Sequence, residues 1–162
     1  MKEGNIEGQG QQTLAQQPYF IANLGTNVTN IDTDGLVYDI VFTNEIADVG
    51  GNYDNTTGIF TAPVDGLYWF GLHLNLLDID SAATSYDFRI YSRVSPLQSY
   101  SIMYVQQVSD LLSADTDMKI QGSCIQYLTA GQTAKCTRKQ SGGTQQTDID
   151  NGDSYFMGYL IA

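Results

Sequence analysis

The sequence is poor in positive charge. Its 162 residues include 7 Lys and Arg against 18 Asp and Glu, which gives a formal net charge of −11. Nucleic-acid binding depends on clustered Lys and Arg that neutralise phosphates, so this composition argues against a direct role with nucleic acid. An anionic membrane surface would repel the chain for the same reason. Cations and basic protein surfaces are therefore the electrostatic partners that we expect.

Long apolar runs are missing as well. No stretch approaches the ~20 apolar residues that a membrane-spanning helix needs. The N-terminal segment, MKEGNIEGQGQQTLAQQ, lacks the apolar core of a secretory signal peptide. We therefore expect a protein that is made in a cytoplasm, is not exported by the general secretory route and does not enter a membrane.

Cysteine and histidine are scarce, with two Cys and one His. Cys124 and Cys136 do not form a Cys-x-x-Cys pair, so together with His73 they do not match the usual pattern of a zinc site. They flank the segment LTAGQ at 128–132, which is typical of a hairpin turn and would place the two cysteines nearly opposite each other. They could then form a disulfide. The favoured alternative is a pair of buried thiols that act as small hydrophobic side chains.

Catalytic patterns are absent from the sequence. It contains neither a Gly-x-Ser-x-Gly nucleophile elbow nor a glycine-rich phosphate-binding loop. His73 lies on a predicted central strand among apolar neighbours, which indicates a core histidine rather than a general base. We therefore expect a protein that is not an enzyme.

Short strands separated by turn signals fill residues 18–162. Polar and apolar residues alternate along segments such as 86–94, and Asp-Gly turns precede the apolar segments that begin at Leu36 and Leu67. No segment combines a helical period with capping residues. The pattern is typical of an all-β sandwich or barrel.

The first seventeen residues have a different composition. They are rich in Gln and Gly and show no apolar period. We interpret residues 1–17 as an N-terminal attachment arm that precedes one domain at 18–162. The alternative is that this segment packs back on its own domain.

Spaced motifs in a fixed order carry a family resemblance. NYD at 52–54 is followed by TGIFTAP at 57–63 and by GLYWF at 66–70. LTAGQ at 128–132 and YFMGYL at 155–160 match two later motifs, with Gln in place of an Asp and Tyr in place of a Phe. Over about residues 18–162 the chain resembles the globular-head domain of the complement C1q family.

The resemblance implies a ten-stranded, all-β jelly-roll sandwich that assembles as a homotrimer, as in the tumour necrosis factor superfamily. The strand that begins at Leu67 is apolar on both faces, with Tyr68 and Phe70 on one and Trp69 and Gly71 on the other. Such a strand needs a partner chain as well as a partner sheet. The resemblance assigns trimer core or interface positions to seven aromatic residues: Tyr19, Phe20, Tyr68, Phe70, Tyr155, Phe156 and Tyr159.

One acidic segment raises the question of a metal. Asp148, Asp150 and Asp153 offer hard oxygen ligands at short spacing, which could hold Ca²⁺. A trimer would carry a net charge of 3 × −11 = −33, and some trimers of the resembled family bind Ca²⁺ near the axis. The segment lacks the residue order of a dedicated calcium loop, so a solvated turn built on Asn151-Gly152 is favoured, and we expect no obligatory cofactor.

Two functions fit this sequence. The first is a virion surface structural protein, most simply of a bacteriophage, that acts as a capsid decoration (cement) trimer or the tip of a head fibre. Its arm would attach it to the major capsid protein or another virion protein. The alternative is a soluble or secreted recognition module that binds a protein or glycan ligand through its outer loops.

Overall fold

The fold consists of strands joined by turns and loops. The computed structural model describes residues 17–31, 34–80, 82–95, 98–101, 116–144 and 146–162. Within these ranges no helix is long and apolar enough to cross a membrane. The twelve strands are β1 (Tyr19–Asn23), β2 (Asp34–Ile40), β3 (Asn44–Val49), β4 (Tyr53–Asp54), β5 (Ile59–Thr61), β6 (Gly66–Ile79), β7 (Ala83–Ser95), β8 (Gln98–Ser101), β9 (Thr116–Leu128), β10 (Thr133–Gly142), β11 (Asp148–Ile149) and β12 (Tyr155–Leu160).

The strands form two six-stranded sheets. Sheet A has the order β11-β6-β12-β1-β3, with β9 also paired to β6. Sheet B has the order β4-β5-β10-β7-β8, with β2 also paired to β10. The predicted all-β sandwich is confirmed. The predicted count of ten strands is not reproduced, because the described residues form twelve, although β4 and β11 have only two residues each.

Aromatic side chains from both sheets fill the space between them. Phe20 of β1 stacks on Tyr53 and Phe60 with ring centroids 4.8 and 5.1 Å apart, and it meets Phe156 edge-on at 4.9 Å. Gly158 lets these rings approach the backbone, since a Cβ there would lie 2.8 Å from Phe20 Cε1. Offset and edge-on aromatic pairs stabilise a core beyond the area they bury. This cluster fixes the distance between the sheets at the middle of the sandwich.

A buried polar network occupies one end of the sandwich. Arg138 of β10 is buried, and its Nη2 donates to Gln140 Oε1 at 2.5 Å and to the carbonyl of Thr147. The Tyr86 hydroxyl lies 2.9 Å from Thr147 Oγ1 and accepts a hydrogen bond from the Asp80 amide. Burial lowers the pKa of the Arg138 guanidinium to about 10, because the charged form loses hydration. The network ties the loop before β11 to β7 and β10.

The predicted hairpin around residues 128–132 is wrong. Its two arms belong to different sheets, because β9 pairs with β6 whereas β10 pairs with β7. The turn between them is held by the loop before β6: Gly131 donates to the Ala62 carbonyl, and the Ala130 amide donates to Asp65 Oδ1, both at 2.8 Å. These bonds carry the chain across the sandwich instead of folding it back within one sheet.

The two cysteines therefore do not lie across a hairpin. Cys136 lies in the core on β10, and Cys124 packs half-buried against the same core from β9. Both are free thiols in the structure. Burial raises the pKa of Cys124 to about 11 and that of Cys136 well above its ordinary value. Because the thiolate is the reactive form, raised pKa values disfavour redox and nucleophilic chemistry at both sites.

Tyr53 gives the fold a testable dependence on alkaline pH. Its buried hydroxyl donates to the Phe42 carbonyl at 3.1 Å, and burial raises its pKa above the ordinary value of 10.0. An acid whose pKa is raised by folding contributes stability below its unfolded pKa, and this contribution is lost as pH rises above about 10. We expect Tyr53→Phe to lose about 1 kcal/mol at pH 7 with the hydrogen bond. We also expect the free energy of unfolding of the variant, measured in urea, to fall less steeply above pH 10. Equal slopes for the two proteins would contradict this assignment.

Candidate interaction face

Strand alternation gives sheet A an inner and an outer face. Along β6 the inner side chains, such as Tyr68 and Phe70, are buried, while Trp69 and His73 point to the other side and are half-buried. The same alternation holds along β1, β9 and β12. We call the second side the outer face of sheet A. It comprises Tyr19, Ile21 and Asn23 of β1, Leu67, Trp69, Gly71, His73 and Asn75 of β6, Lys119, Gln121, Ser123, Ile125 and Tyr127 of β9, and Tyr155, Met157 and Tyr159 of β12.

The outer face is apolar at one end. Tyr159 pairs with Tyr19 on one side and with Trp69 on the other, and Trp69 pairs with Ile125. The rings of Trp69 and Tyr159 stack with centroids 5.3 Å apart. Five of the large hydrophobic side chains that are exposed on the described part of the chain lie at this end: Tyr19, Leu67, Ile125, Tyr127 and Tyr159. Scattered apolar residues are ordinary on a surface, but a contiguous set marks a site of interaction.

Two shallow grooves shape this apolar end. The next cross-strand row is Met157, Gly71 and Ser123, so the sheet has little side-chain cover at its centre. The ring of Trp69 folds over Gly71 and fills the space that a Cβ would need. A groove of about 350 Å³ lies over this row, and another of about 370 Å³ lies between Tyr19 and Trp69. The grooves are sites where side chains of a packed partner could insert.

The opposite end of the outer face is polar. His73 is flanked in register by Tyr155 and Gln121. Beyond them Lys119 Nζ forms an ion pair with Asp153 Oδ2 at 2.5 Å. The hydrogen bond between these two side chains raises the pKa of Lys119 and lowers that of Asp153. The prediction of a core histidine is wrong for the single chain, because His73 is half-buried on the outer side of β6, where none of the described residues forms a second layer over it.

The seven aromatic residues assigned from the resemblance divide by strand side. Phe20, Tyr68, Phe70 and Phe156 belong to the buried core. The other three lie on the outer face of sheet A: Tyr19, Tyr155 and Tyr159. Trp69 also lies on the outer face, although the resemblance assigns it no role in the interface. Three further residues of this face, Leu67, Ile125 and Tyr127, were not predicted from the sequence, and alternation along β6 and β9 is the signal that would have found them.

The three acidic residues considered for calcium are not brought together as one ligand set. Asp148 Oδ1 accepts a hydrogen bond from the Asn30 amide at 2.8 Å. Asp150 Oδ2 accepts one from Asn75 Nδ2 at 3.1 Å, and Asp153 is paired with Lys119. Within the described residues no group of three or more His, Cys, Asp or Glu is arranged to hold a metal ion. Asp148 instead holds the loop at Asn30, and Asp150 and Asp153 hold the turn between β11 and β12.

Comparison with known proteins places this fold in a family. The C1q domain family model matches residues 20–161, which is most of the chain. The chain belongs to the C1q domain family. The outer face of sheet A is therefore a surface of a C1q domain, and the motifs at 52–70 and 155–160 lie within the matched residues.

Solved structures agree at the level of the fold. The globular domain of zebrafish complement 1qA matches with a TM-score of 0.59 and 17% identity, covering 90% of this chain and 98% of that one. Murine APRIL matches with a TM-score of 0.64 and 7% identity over 90% and 99%. Eiger TNF from S. frugiperda matches with a TM-score of 0.63 and 11% identity over 90% and 92%. At these identities the likeness shows a shared C1q and TNF-like sandwich.

Trp69 is the only tryptophan of the chain, so its fluorescence reports on the outer face of sheet A. If this face becomes buried between copies, we expect blue-shifted emission and weaker acrylamide quenching at high protein concentration than at high dilution. The matched reference is an Ile125→Asp variant, whose added carboxylate would oppose burial of the face. Quenching that is identical at all concentrations, and in both proteins, would show that Trp69 stays in contact with water.

Proposed function

We propose that this chain is a non-enzymatic C1q-like module that assembles as a homotrimer and works by binding. The observation that carries this proposal is the apolar end of the outer face of sheet A. A single sandwich leaves Tyr159, Ile125 and Tyr127 exposed there, although its core is already complete on the other side of the same strands. Covering such a face with a second molecule recovers apolar burial at about 25 cal/mol per Å² before the costs of association.

Membership of the C1q domain family supports an assembly of three copies of the chain. The resemblance to C1q and TNF domains implies a trimer in which the sheet containing the first, the last and the Gly-x-Tyr-x-Phe strands lines the threefold axis. Here those strands are β1, β12 and β6, which are neighbours in sheet A. A threefold ring joins two different patches of each copy, so part of this face would meet a different surface of the next copy.

Binding rather than catalysis is supported by the state of the reactive groups. The thiols of Cys124 and Cys136 have raised pKa values, which keeps them protonated at neutral pH. His73 lies beside Tyr155 and Gln121 on the face that we assign to assembly. These surroundings suit contact with another protein surface.

For the setting of the trimer we propose the surface of a virion, as a capsid decoration protein or a head-fibre tip attached to the major capsid protein. Support comes from the Gln- and Gly-rich residues 1–17 and from the low share of charged residues, 15%. Gln17 Nε2 donates to the Leu160 carbonyl, so the chain enters the domain beside the end of β12. Three copies would then bring their attachment arms to the same end of the assembly.

The alternative setting is extracellular, as a soluble recognition module that binds a protein or a glycan. Membership of the C1q domain family favours this candidate. In this setting the trimer would present its loops to a ligand without any particle. Both settings require the homotrimer. They differ in the role of the arm, which attaches the protein to a particle only in the virion setting.

Substitution on the outer face tests the assembly. We expect Ile125→Asp to raise the dissociation constant of the trimer by roughly a hundredfold or more, because an unpaired carboxylate buried in an interface costs several kcal/mol. Val64→Asp is the matched control, since Val64 is exposed in the loop before β6 and is not one of the strand positions that form this face. Light scattering after size exclusion measures both. A wild-type chain that remains a monomer, or an Ile125→Asp variant that remains a trimer, would contradict the proposal.

Removal of the arm, residues 1–17, tests whether the trimer belongs to a virion or works outside the cell. If the arm attaches the protein to a virion, the truncated protein should remain a trimer but fail to co-sediment with particles that the full chain decorates. Full occupancy by the truncated trimer would exclude the arm as the attachment segment. Saturable binding of both proteins to a defined glycan or protein, with no affinity for particles, would favour the extracellular module.

A further inference from the structure

The turn between β11 and β12 contains the dipeptide Asn151-Gly152. It is the only place in the 162 residues where glycine follows asparagine. An asparagine in this position is chemically labile, because the backbone nitrogen of the next residue can attack the side-chain Cγ and close a five-membered ring. Glycine hinders this attack least, since it has no Cβ. Asn151 is therefore the asparagine of this chain that is most prone to lose its amide.

The attacking nitrogen in this turn already donates its hydrogen to a carboxylate. The Gly152 amide donates to Asp150 Oδ2 at 3.1 Å. A general base acts from within about 2.6–3.2 Å of the atom that gives up the proton, and Asp150 meets this condition. Asn75 Nδ2 also donates to Asp150 Oδ2, at 3.1 Å, which holds the carboxylate in place. The turn thus combines the labile dipeptide with a positioned base.

The amide of Asn151 is held more weakly than its backbone. Asn151 Nδ2 donates to the Gly25 carbonyl at 3.4 Å, which is long for a hydrogen bond, whereas the backbone amide of Asn151 donates to Asn27 Oδ1 at 2.9 Å. The side chain can therefore rotate towards Gly152 at small cost while the turn stays anchored. Gly152 is exposed and Asn151 is half-buried, so water reaches this turn.

We propose that Asn151 is a site of self-catalysed deamidation in which Asp150 acts as the base. Gly152 N gives its proton to Asp150 Oδ2 and forms a bond to Asn151 Cγ. The bond between Cγ and Nδ2 breaks, and the nitrogen takes up that proton and leaves as ammonia. Water then opens the succinimide at either carbonyl and leaves aspartate or isoaspartate at position 151. The net reaction consumes one water and releases one ammonia, without oxidation or reduction.

The product would loosen the loop between β1 and β2. Val28 and Ile149 exchange backbone hydrogen bonds of 2.9 and 2.8 Å, so this loop is attached to the strand just before the turn. A carboxylate at position 151 has no N–H to donate to the Gly25 carbonyl, and isoaspartate lengthens the backbone of the turn by one carbon. The reacting groups all belong to one turn of one chain, so the proposal does not depend on the trimer.

Ageing of the full-length protein tests the proposal. The protein is incubated at neutral pH and physiological temperature, digested with trypsin and analysed by mass spectrometry. Cleavage after Lys139 gives the peptide 140–162, whose only asparagine is Asn151. We expect this peptide to gain the mass that a carboxyl group adds in place of an amide, and to separate into aspartate and isoaspartate forms. Asn55 is the internal reference, because the β-branched Thr56 that follows it hinders ring closure.

Two substitutions separate the role of Asp150 from the intrinsic lability of the dipeptide. Asp150→Asn keeps the shape of the side chain but removes the base, so we expect deamidation of Asn151 in the folded protein to be at least about tenfold slower. If the charge of Asp150 only opposed ionisation of the attacking nitrogen, the same substitution would speed the reaction. Asp153→Asn removes the same charge from the same turn, but Asp153 pairs with Lys119. This control should leave the rate nearly unchanged.

A third substitution tests the site without a change of charge. A Cβ at residue 152 would lie 3.1 Å from Asp150 Oδ2, so Gly152→Ala both hinders the ring and crowds the base. We expect at least about tenfold slower deamidation in this variant. Circular dichroism verifies that each variant is folded.

Four results would overturn the proposal. They are an unchanged mass of the peptide 140–162 after ageing, a rate in folded Asp150→Asn that equals or exceeds that of wild type, and a wild-type rate in Gly152→Ala. The fourth is equal slowing by Asp150→Asn in an unfolded synthetic peptide of residues 146–156, since the geometry of the turn would then play no part.

Discussion

The alternation of side chains along β6 is the constraint on which the rest of the structure depends. This strand is 14 residues long and is paired along both edges, to β9 on one side and to β12 on the other. A slip of one residue would move Tyr68 and Phe70 out of the core and place Trp69 and His73 inside it. Because both sets are mostly apolar, the strand alone would tolerate either arrangement. The aromatic rings contributed by β1, β5 and β12 select one of them.

The packing of the core therefore also determines the arrangement of the outer face of sheet A, because both are built from the same strands. Phe20 and Phe156 fix β1 and β12 against the core, which also fixes the positions of Tyr19 and Tyr159 on the opposite side of the same backbone. The outer apolar surface thus consists of rigid strand positions, which lose little conformational entropy when a partner covers them. Sheet B also carries exposed apolar side chains, Leu36 and Val37 of β2, so the apolar surface of the described residues is not confined to sheet A.

Much of the fold was predictable from the sequence, because the strand signals and the motif order of residues 52–70 are local. The division of the aromatic residues into core and surface was not, since alternation puts Tyr68 and Trp69 on opposite sides of β6 without showing which side faces the core. The hairpin at 128–132 was mispredicted because Gly131 and Ala130 bond to Ala62 and Asp65, which are distant in the chain.

The buried network around Arg138 shows the same limit of sequence reasoning. An arginine between two polar residues in an alternating strand looks solvent-exposed. Its partner Thr147, and Tyr86, which bonds to Thr147, come from other elements. The exposure of Leu36 and Val37 on β2 was not predictable either, since an apolar segment of this kind predicts a buried strand. Contacts between distant parts of the chain decide both cases.

The position of β1 determines how the domain would respond to mechanical load. β1 is an interior strand of sheet A, held by five register pairs to β12 and five to β3, and residue 18 leads directly into it. A pull on residue 18 along the strand axis would act on the hydrogen bonds of both ladders together, in shear, instead of opening them one after another. A tether placed at this strand would resist force better than one placed at a strand such as β3, for which the described residues provide a single ladder, to β1.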